Sequence, residues 1–363
     1  MKAKPLNILF STTRQWNPGD EFILFGIINL LKELNLEFNP ILYNRNPHIR
    51  PMFLYLNPLR FSSYLDIPYE GKDILEAFFR IGFWDNSYKD EMDLDFIDWV
   101  IFAGTPEWKT PRLIPLYEKL LEFNGKIMYI GIGSSGIRNY NQIDTLYKKV
   151  LQKATFISVR DEYTFNMLKP LSPLILPCPS LFASDEEKNI SKIKHIGLVF
   201  STSKSVPFNR IPPEIEKLLI SLYNEIIKKN YWRTSIICHY IDEVPRAFKI
   251  FGDKVKIFYS YDAKDYIEIY KKFDLIITPR VHGSALATSL GIPSIVIPHD
   301  IRVNTALFFL AEIISLKNLN LREIKSLITN IEKNIKKINR NLIAYKKIFK
   351  QIYISHLSKK IFP

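Results

Sequence analysis

The chain has 363 residues, of which 47% are hydrophobic and 24% charged, and it carries a formal net charge of +13. That length exceeds one ordinary domain and suits two of about 150–180 residues, while the apolar content excludes a disordered chain. Two cysteines, Cys178 and Cys238, make neither a disulfide framework nor a zinc pattern, the usage of a reducing compartment. Residues 1–15 run straight into a short strand without the features of a signal peptide. The apolar run 22–31 contains Gly26 and Asn29 and is too short to span a bilayer. A soluble, cytoplasmic protein is expected.

In chain order, residues 6–10 (LNILF) read as the first strand of a sheet. The loop STTRQWNPGD follows at 11–20, with Pro18-Gly19 as a tight turn and Asp20 as the expected N-cap of a helix over 21–34. Residues 37–42 are the second strand. Residues 44–97, irregular and rich in aromatics and proline, read as a long insertion, either a structural excursion or a lid or acceptor surface. A strand at 98–103 runs into Gly104-Thr105-Pro106, and a helix over 111–124 precedes a strand at 126–130. The turn Gly131-Ile132-Gly133-Ser134-Ser135-Gly136 suits close backbone approach by a ligand. No acidic residue follows it at ribose distance, so it is only loosely like a dinucleotide fingerprint. A helix at 143–153 leads to a strand at 156–159. Arg160-Asp161 then open a helix over 162–169, with Arg160 either reaching into a cleft or pairing with Asp161.

Residues 174–179 and the polar run 184–194 look like the passage between domains, which places one α/β domain over 1–183 and a second over 184–320. The second half alternates cleanly. A strand at 195–200 ends in Ser201-Thr202-Ser203-Lys204, a helix covers 213–229, and a strand at 234–238 leads into His239, Tyr240, Ile241, Asp242 and Glu243. A strand at 255–258 and a helix at 263–272 follow. Such alternation specifies a parallel sheet flanked by helices. His239 and Asp242 invite a metal, but no third ligand stands at useful spacing, and none is expected.

The best-defined candidate site lies within 273–302. A strand at 275–278 stops at Pro279. Then come Arg280-Val281-His282-Gly283, a short helix over 284–290 closed by Gly291, and a strand at 294–297. One guanidinium and one imidazole, two residues apart, thus sit at a strand's carboxyl end and a helix's amino end. Open α/β sheets bind ligands there, and helix amides favour anions. Ordinary surface polarity is the competing explanation, but apolar runs on both sides take the pair off a solvated face.

From residue 321 onward, eleven Lys or Arg stand against Glu323 and Glu332, so this tail carries +9 of the total charge. Ile324, Leu327, Ile328, Ile331, Ile335, Ile338 and Leu342 recur at helical spacing, which predicts a long basic amphipathic helix over 321–363. It either packs its isoleucine stripe on the protein with a solvated lysine face, or meets anionic lipid or a polyanionic glycan. No nucleic-acid motif accompanies the charge, and nucleic acid is not expected as a partner.

Several of these groups together resemble the polysaccharide pyruvyl transferase family, from Leu6 to about Arg302. They are Asn17-Pro18-Gly19-Asp20, Gly131-Ile132-Gly133, Val159-Arg160-Asp161, His239 with Asp242, Arg280-Val281-His282-Gly283, Gly291-Ile292-Pro293 and Asp300-Ile301-Arg302. The resemblance implies an α/β fold of two Rossmann-like domains facing across a cleft, in the manner of GT-B glycosyltransferases. It also implies transfer of a pyruvyl group from phosphoenolpyruvate to hydroxyls of a sugar in a cell-surface polysaccharide or its precursor. The product is a ketal, no cofactor is needed, and the acceptor is a glycan or lipid-linked saccharide; peripheral contact with the inner face of the membrane is an expectation from the basic tail alone. The chemistry of that donor makes His282 the expected general acid and Arg280 the anion clamp, with Arg160, Lys204, Gly283 and Ser284 as further donor contacts. Asn17, Gly19 and Asp20, with His239 and Asp242, fall on the acceptor side. The donor's phosphate and carboxylate suit bidentate cations and helix amino ends, and its enol carbon needs a proton donor with a pKa near neutrality.

Departures from the family pattern are Thr105-Pro106 after Gly104, where members often continue with glycines, Cys178 where many have aspartate, and the 44–97 insertion. They leave donor and acceptor more open than the fold. Two other functions stay open at this point. One is a glycosyltransferase using a nucleotide-sugar, with Asp300 available to a ribose; the other is a non-catalytic glycan- or membrane-associated relative. The sequence sets no oligomeric state.

Overall fold

The computed structural model describes residues 4–13, 17–45, 93–108, 113–133, 137–205 and 210–362. The expected insertion, apart from its ends, lies outside these residues, as do positions 134–136 of the glycine turn. Strands β1 (Leu6–Thr12), β2 (Phe38–Asn44), β3 (Trp99–Ala103), β4 (Lys126–Ile132), β5 (Phe156–Val159) and β6 (Leu174–Ile175) form a parallel sheet in the order β2-β1-β3-β4-β5-β6. Helices α1 (Pro18–Glu33), α2 (Ile114–Glu122), α3 (Thr145–Gln152) and α4 (Glu162–Met167) connect it. A second parallel sheet has the order β12-β11-β10-β7-β8-β9. Its strands are β7 (His195–Phe200), β8 (Arg233–Cys238), β9 (Ile257–Phe258), β10 (Leu275–Thr278), β11 (Ser294–Val296) and β12 (Glu312–Ile313). Helices α5 (Pro213–Lys229), α6 (Val244–Phe251), α7 (Asp265–Tyr270) and α8 (Val281–Ser289) accompany it.

β3, β7 and β10 are buried along their whole length. Strands covered on both faces read as continuous apolar runs, which is why they stood out without any alternation. Strand order reverses between β1 and β3 in the first sheet and between β7 and β10 in the second. Ligands of open α/β sheets bind outside the carboxyl ends of the strands at such reversals.

At the cleft, two helix starts differ from the sequence expectation. α1 begins at Pro18, with Asn17 rather than Asp20 as its N-cap: the Asn17 carboxamide oxygen accepts from the Gly19 amide at 3.1 Å. Proline at the first helical position loses no helical hydrogen bond. α8 begins at Val281, three residues early, so His282 lies inside the first helical turn rather than in a loop. The amides of Gly283 and Ser284 donate to the Arg280 carbonyl at 3.0 and 3.3 Å.

The basic tail folds as two helices, α9 (Leu321–Lys333) and α10 (Ile335–Ile361), broken at Asn334. α10 runs from the second domain back onto the first. Asn339 donates to the carbonyls of Lys188 and Gly291, both at 2.7 Å, and Lys346 donates to that of Ser289 at 2.7 Å. Further along, the Tyr353 hydroxyl donates to the Pro177 carbonyl at 2.9 Å, and Tyr353, Leu357 and Ile361 complete the core of the first domain. Among the described residues, no helix is long and apolar enough to cross a membrane.

α1 lies against the 3-10 turn Pro179–Phe182, where a Cβ at Gly26 would come 1.7 Å from the Pro179 carbonyl oxygen. Gly26→Ala gains about 1 kcal/mol in helix propensity but must push two backbones apart, at the upper end of the about 1–3 kcal/mol cost of overpacking. A net loss of about 1–2 kcal/mol is expected, read as a lower urea midpoint. An unchanged or higher midpoint would mean that α1 is not seated this closely.

Candidate active site

The carboxyl ends of the two sheets meet at the ring of His282. A Cβ at Gly19, in the first turn of α1, would fall 2.2 Å from His282 Nδ1, so only glycine admits the ring. On the other side, His282 Nε2 lies 3.5 Å from Nη1 of Arg160, which follows β5. A guanidinium only donates, so this contact favours an unprotonated Nε2. Nη2 of Arg160 donates to the Thr105 hydroxyl, after β3, at 3.3 Å. The glycine turn contributes as well, because a Cβ at Gly133 would come 2.6 Å from Arg160 Nε. Arg160 is buried and pairs with no carboxylate among the described residues. The surrounding protein, then Arg160, Arg302 and His239, hold the partly exposed His282 well below the ordinary histidine range. In the unliganded protein this imidazole is neutral at pH 7.

Arg280 is placed differently from its expected role. Its Nη2 donates to Glu243 Oε1 at 2.5 Å, and its guanidinium lies over the Tyr240 ring, 4.5 Å from the centroid. The other Glu243 oxygen accepts from the amides of His239 and Tyr240 at 2.9 and 3.1 Å. Burial pushes the Glu243 carboxyl up to about 7, with Arg280 opposing and Asp242 adding to the shift. Burial works against the charge of Arg280, yet Glu243 and Tyr240 hold it protonated. Its charge is therefore largely offset inside the second domain, although its Nε is buried with no hydrogen-bond partner among the described residues. The Tyr240 hydroxyl crosses the cleft to donate to the Asn17 carboxamide oxygen at 3.1 Å.

Other expected site residues are committed elsewhere. His239 is buried, with Nε2 2.8 Å from the Tyr270 hydroxyl and its ring edge-on to Phe22 and Tyr266. Asp242 is buried and accepts from the Ser205 hydroxyl at 2.6 Å. The Ser284 hydroxyl is 2.7 Å from that of Ser294, beneath the sheet end, and Gly283 makes room for Thr278 and Tyr270. With their amides bonded to Arg280, Gly283 and Ser284 offer a ligand no obvious donor. Lys204 is half-buried in the turn after β7, which is shaped by Glu216: that carboxylate accepts from Thr202 at 3.0 Å, from the Ser203 amide at 3.0 Å, and from Arg246. Asp20 lies 3.7 Å from the fully buried Arg45, which also reaches Glu107 at 3.5 Å.

Sequence reasoning missed Glu243, Tyr240 and Thr105 as partners of the site. Glu243 and Tyr240 stand in the polar run after β8, a usable signal of position but not of pairing. Thr105 is one of the places where the chain departs from the family pattern. Among the described residues, no three or more metal-ligating side chains come together.

The family model described as polysaccharide pyruvyl transferase matches residues 17–301. No curated protein matches the chain significantly. Among solved structures, UDP-GlcNAc 2-epimerase from Neisseria meningitidis bound to UDP-GlcNAc is similar at 13% identity and a TM-score of 0.55, covering 98% of this chain and 100% of that one. UDP-GlcNAc 2-epimerase from Methanocaldococcus jannaschii, in complex with UDP-GlcNAc and UDP, is similar at 14% identity and a TM-score of 0.50, covering 94% and 99%. At such identity the likeness is one of fold, two Rossmann-like domains of GT-B type.

Burial also lowers His195 and His299 to about 4 and His239 to about 3. These imidazoles stay neutral when folded but protonate near pH 6.5 when unfolded, so the unfolded chain binds more protons between pH 6.5 and about 4. Stability is therefore expected to fall on acidification through that window. Urea midpoints from pH 7 to 4 should drop in the wild type and drop less steeply in His195→Gln. Parallel pH profiles for the two proteins would contradict the burial of this ring as neutral.

Proposed function

This chain belongs to the polysaccharide pyruvyl transferase family, and on that premise we propose that it transfers a pyruvyl group from phosphoenolpyruvate to a sugar of a polysaccharide or its precursor, forming a ketal. The family makes it a transferase acting on polysaccharides; the donor and the ketal are our reading. The observation that carries it is the contact of His282 with Arg160 across the cleft, at the carboxyl ends of both sheets.

Arg160 serves as the primary anion contact, being a buried guanidinium with no carboxylate beside it among the described residues. It binds the donor's phosphate or carboxylate as a planar fork. Arg302 stands nearby, held by Asp300, whose carboxylate accepts from its Nε at 2.8 Å. Burial, then the cations Arg160 and Arg302, depress His282. A donor bearing two anionic groups offsets those cations, raises the proton affinity of the ring and lets it enter the complex protonated. His282 then gives its proton to the terminal CH2 carbon, which becomes a methyl group, while positive charge develops at C2. A sugar hydroxyl adds to C2 and phosphate departs with its C–O bond electrons. A second hydroxyl of the same sugar closes the ketal, and the two hydroxyl protons pass to the departing phosphate and to His282, which is restored. Arg280 acts from behind. Fixed by Glu243, it holds Tyr240 and so the Asn17 side of the cleft.

Asp300, the carboxylate available for a nucleotide ribose, is engaged by Arg302, which favours the pyruvyl reading over a nucleotide-sugar one. Incubation of the protein with phosphoenolpyruvate and candidate glycans, following phosphate release and ketal formation, tests the proposal. His282→Ala is expected to lower kcat by about 10²–10⁴, and Arg160→Ala to raise KM for phosphoenolpyruvate. Full activity in the His282 variant removes the ring from the mechanism. Turnover of nucleotide-sugars, with none of phosphoenolpyruvate, overturns the reading as a whole.

A further inference from the structure

α10 is 27 residues long and contains eight Lys or Arg and no Asp or Glu. The structure separates these bases into two sets. Lys346 and Lys350 turn inward: Lys346 is buried on backbone carbonyls, and Lys350 bonds Glu33 at 2.6 Å and Asp185 at 2.8 Å. Lys336, Lys337, Arg340, Lys347, Lys359 and Lys360 remain exposed. Only Lys347 of these reaches a carboxylate among the described residues, that of Glu187 at 3.1 Å. The buried face holds Ile335, Asn339, Leu342, Tyr353, Leu357 and Ile361. At 100° per residue, the opposite face centres on Ile348, with Lys337 and Lys359 on the same side.

That outward face is not purely polar. Ile348 is 57% exposed, and the Tyr345 hydroxyl donates to the Phe308 carbonyl at 2.8 Å. This bond ties the outward turn of α10 to the 3-10 helix Ile301–Phe309, where Leu307 is 60% and Leu310, just beyond it, 48% exposed. Exposed aliphatic side chains beside unopposed bases are what a peripheral anionic membrane surface accepts. The bases stay at headgroup level while the apolar tips enter the interface. The same 3-10 helix starts at Asp300 and Arg302, at the edge of the cleft, so the patch and the site share one short element.

We propose that the outward face of α10, with Leu307 and Leu310, docks the protein on a bilayer containing anionic lipid. The inference rests on the surface alone, so it stands or falls apart from the pyruvyl reading. It would bring the cleft to a lipid-linked acceptor if that reading holds.

Sedimentation of the full chain with sucrose-loaded vesicles tests it without turnover. Binding is expected to vesicles of phosphatidylcholine with a phosphatidylglycerol fraction, and not to phosphatidylcholine alone. Lys337→Gln, Arg340→Gln and Lys359→Gln combined should weaken it about a hundredfold, at roughly fivefold per base near the surface. Ile348→Asp with Leu307→Asp should weaken it too, and these exposed positions leave the fold intact, as circular dichroism would show. Absence of vesicle binding by the wild type overturns the proposal, as does binding unchanged in both sets of variants. Retention on a soluble polyanionic glycan with no vesicle binding also overturns it, in favour of a glycan-docking surface.

Discussion

A buried ion pair at the mouth of the second sheet sets the geometry of everything in front of it. Glu243 holds Arg280 at 2.5 Å, and Arg280 lies over Tyr240. Tyr240 reaches across to Asn17, and Asn17 caps the helix whose Gly19 receives His282. Removing one partner of such a pair leaves a buried charge uncompensated, typically at about 3–5 kcal/mol. The pair is therefore better understood as fixing one arrangement of the two domains than as adding to stability. Each domain contributes a side of the site, and neither side is complete alone.

The division of charge follows from this. Arg280 has a carboxylate of its own inside the second domain, so most of its field is spent there. Arg160 has none among the described residues and stands 3.5 Å from the His282 imidazole. Under the proposed function, an anion bound beside Arg160 would screen it and raise the proton affinity of His282. On that proposal, substrate binding and activation of the acid would be the same electrostatic event. It would reconcile the proposed general acid with a ring that its surroundings keep neutral.

Much of the fold could be read in the sequence. The strands 195–200 and 275–278, the helix 213–229 and the alternation of the second half coincide with the observed elements, because a parallel sheet covered on both faces leaves long apolar runs between polar loops. The polar residues at strand ends marked the right region. Which of them face the cleft did not follow, since that depends on partners distant in sequence. Arg280 and Glu243 are 37 residues apart, Arg160 and His282 are 122 apart, and no periodicity encodes either meeting. The break of the tail at Asn334 and its crossing to the first domain were equally out of reach, because the helical pattern gives the apolar stripe but not the surface that covers it. Ser284 and His239, chosen for their place beside strand ends, proved to be satisfied internally by Ser294 and Tyr270.

On the proposed function, an anionic donor bound beside Arg160 switches His282 from a neutral ring to a proton donor. Nuclear magnetic resonance titration of protein labelled with ¹⁵N at histidine, with and without phosphoenolpyruvate, reads this directly. His282 is expected to stay neutral down to well below pH 6.5 when free and to titrate at higher pH with the donor bound, the rise being lost in Arg160→Ala. A His282 that titrates near 6.5 in the free protein, or does not respond to phosphoenolpyruvate, would contradict it.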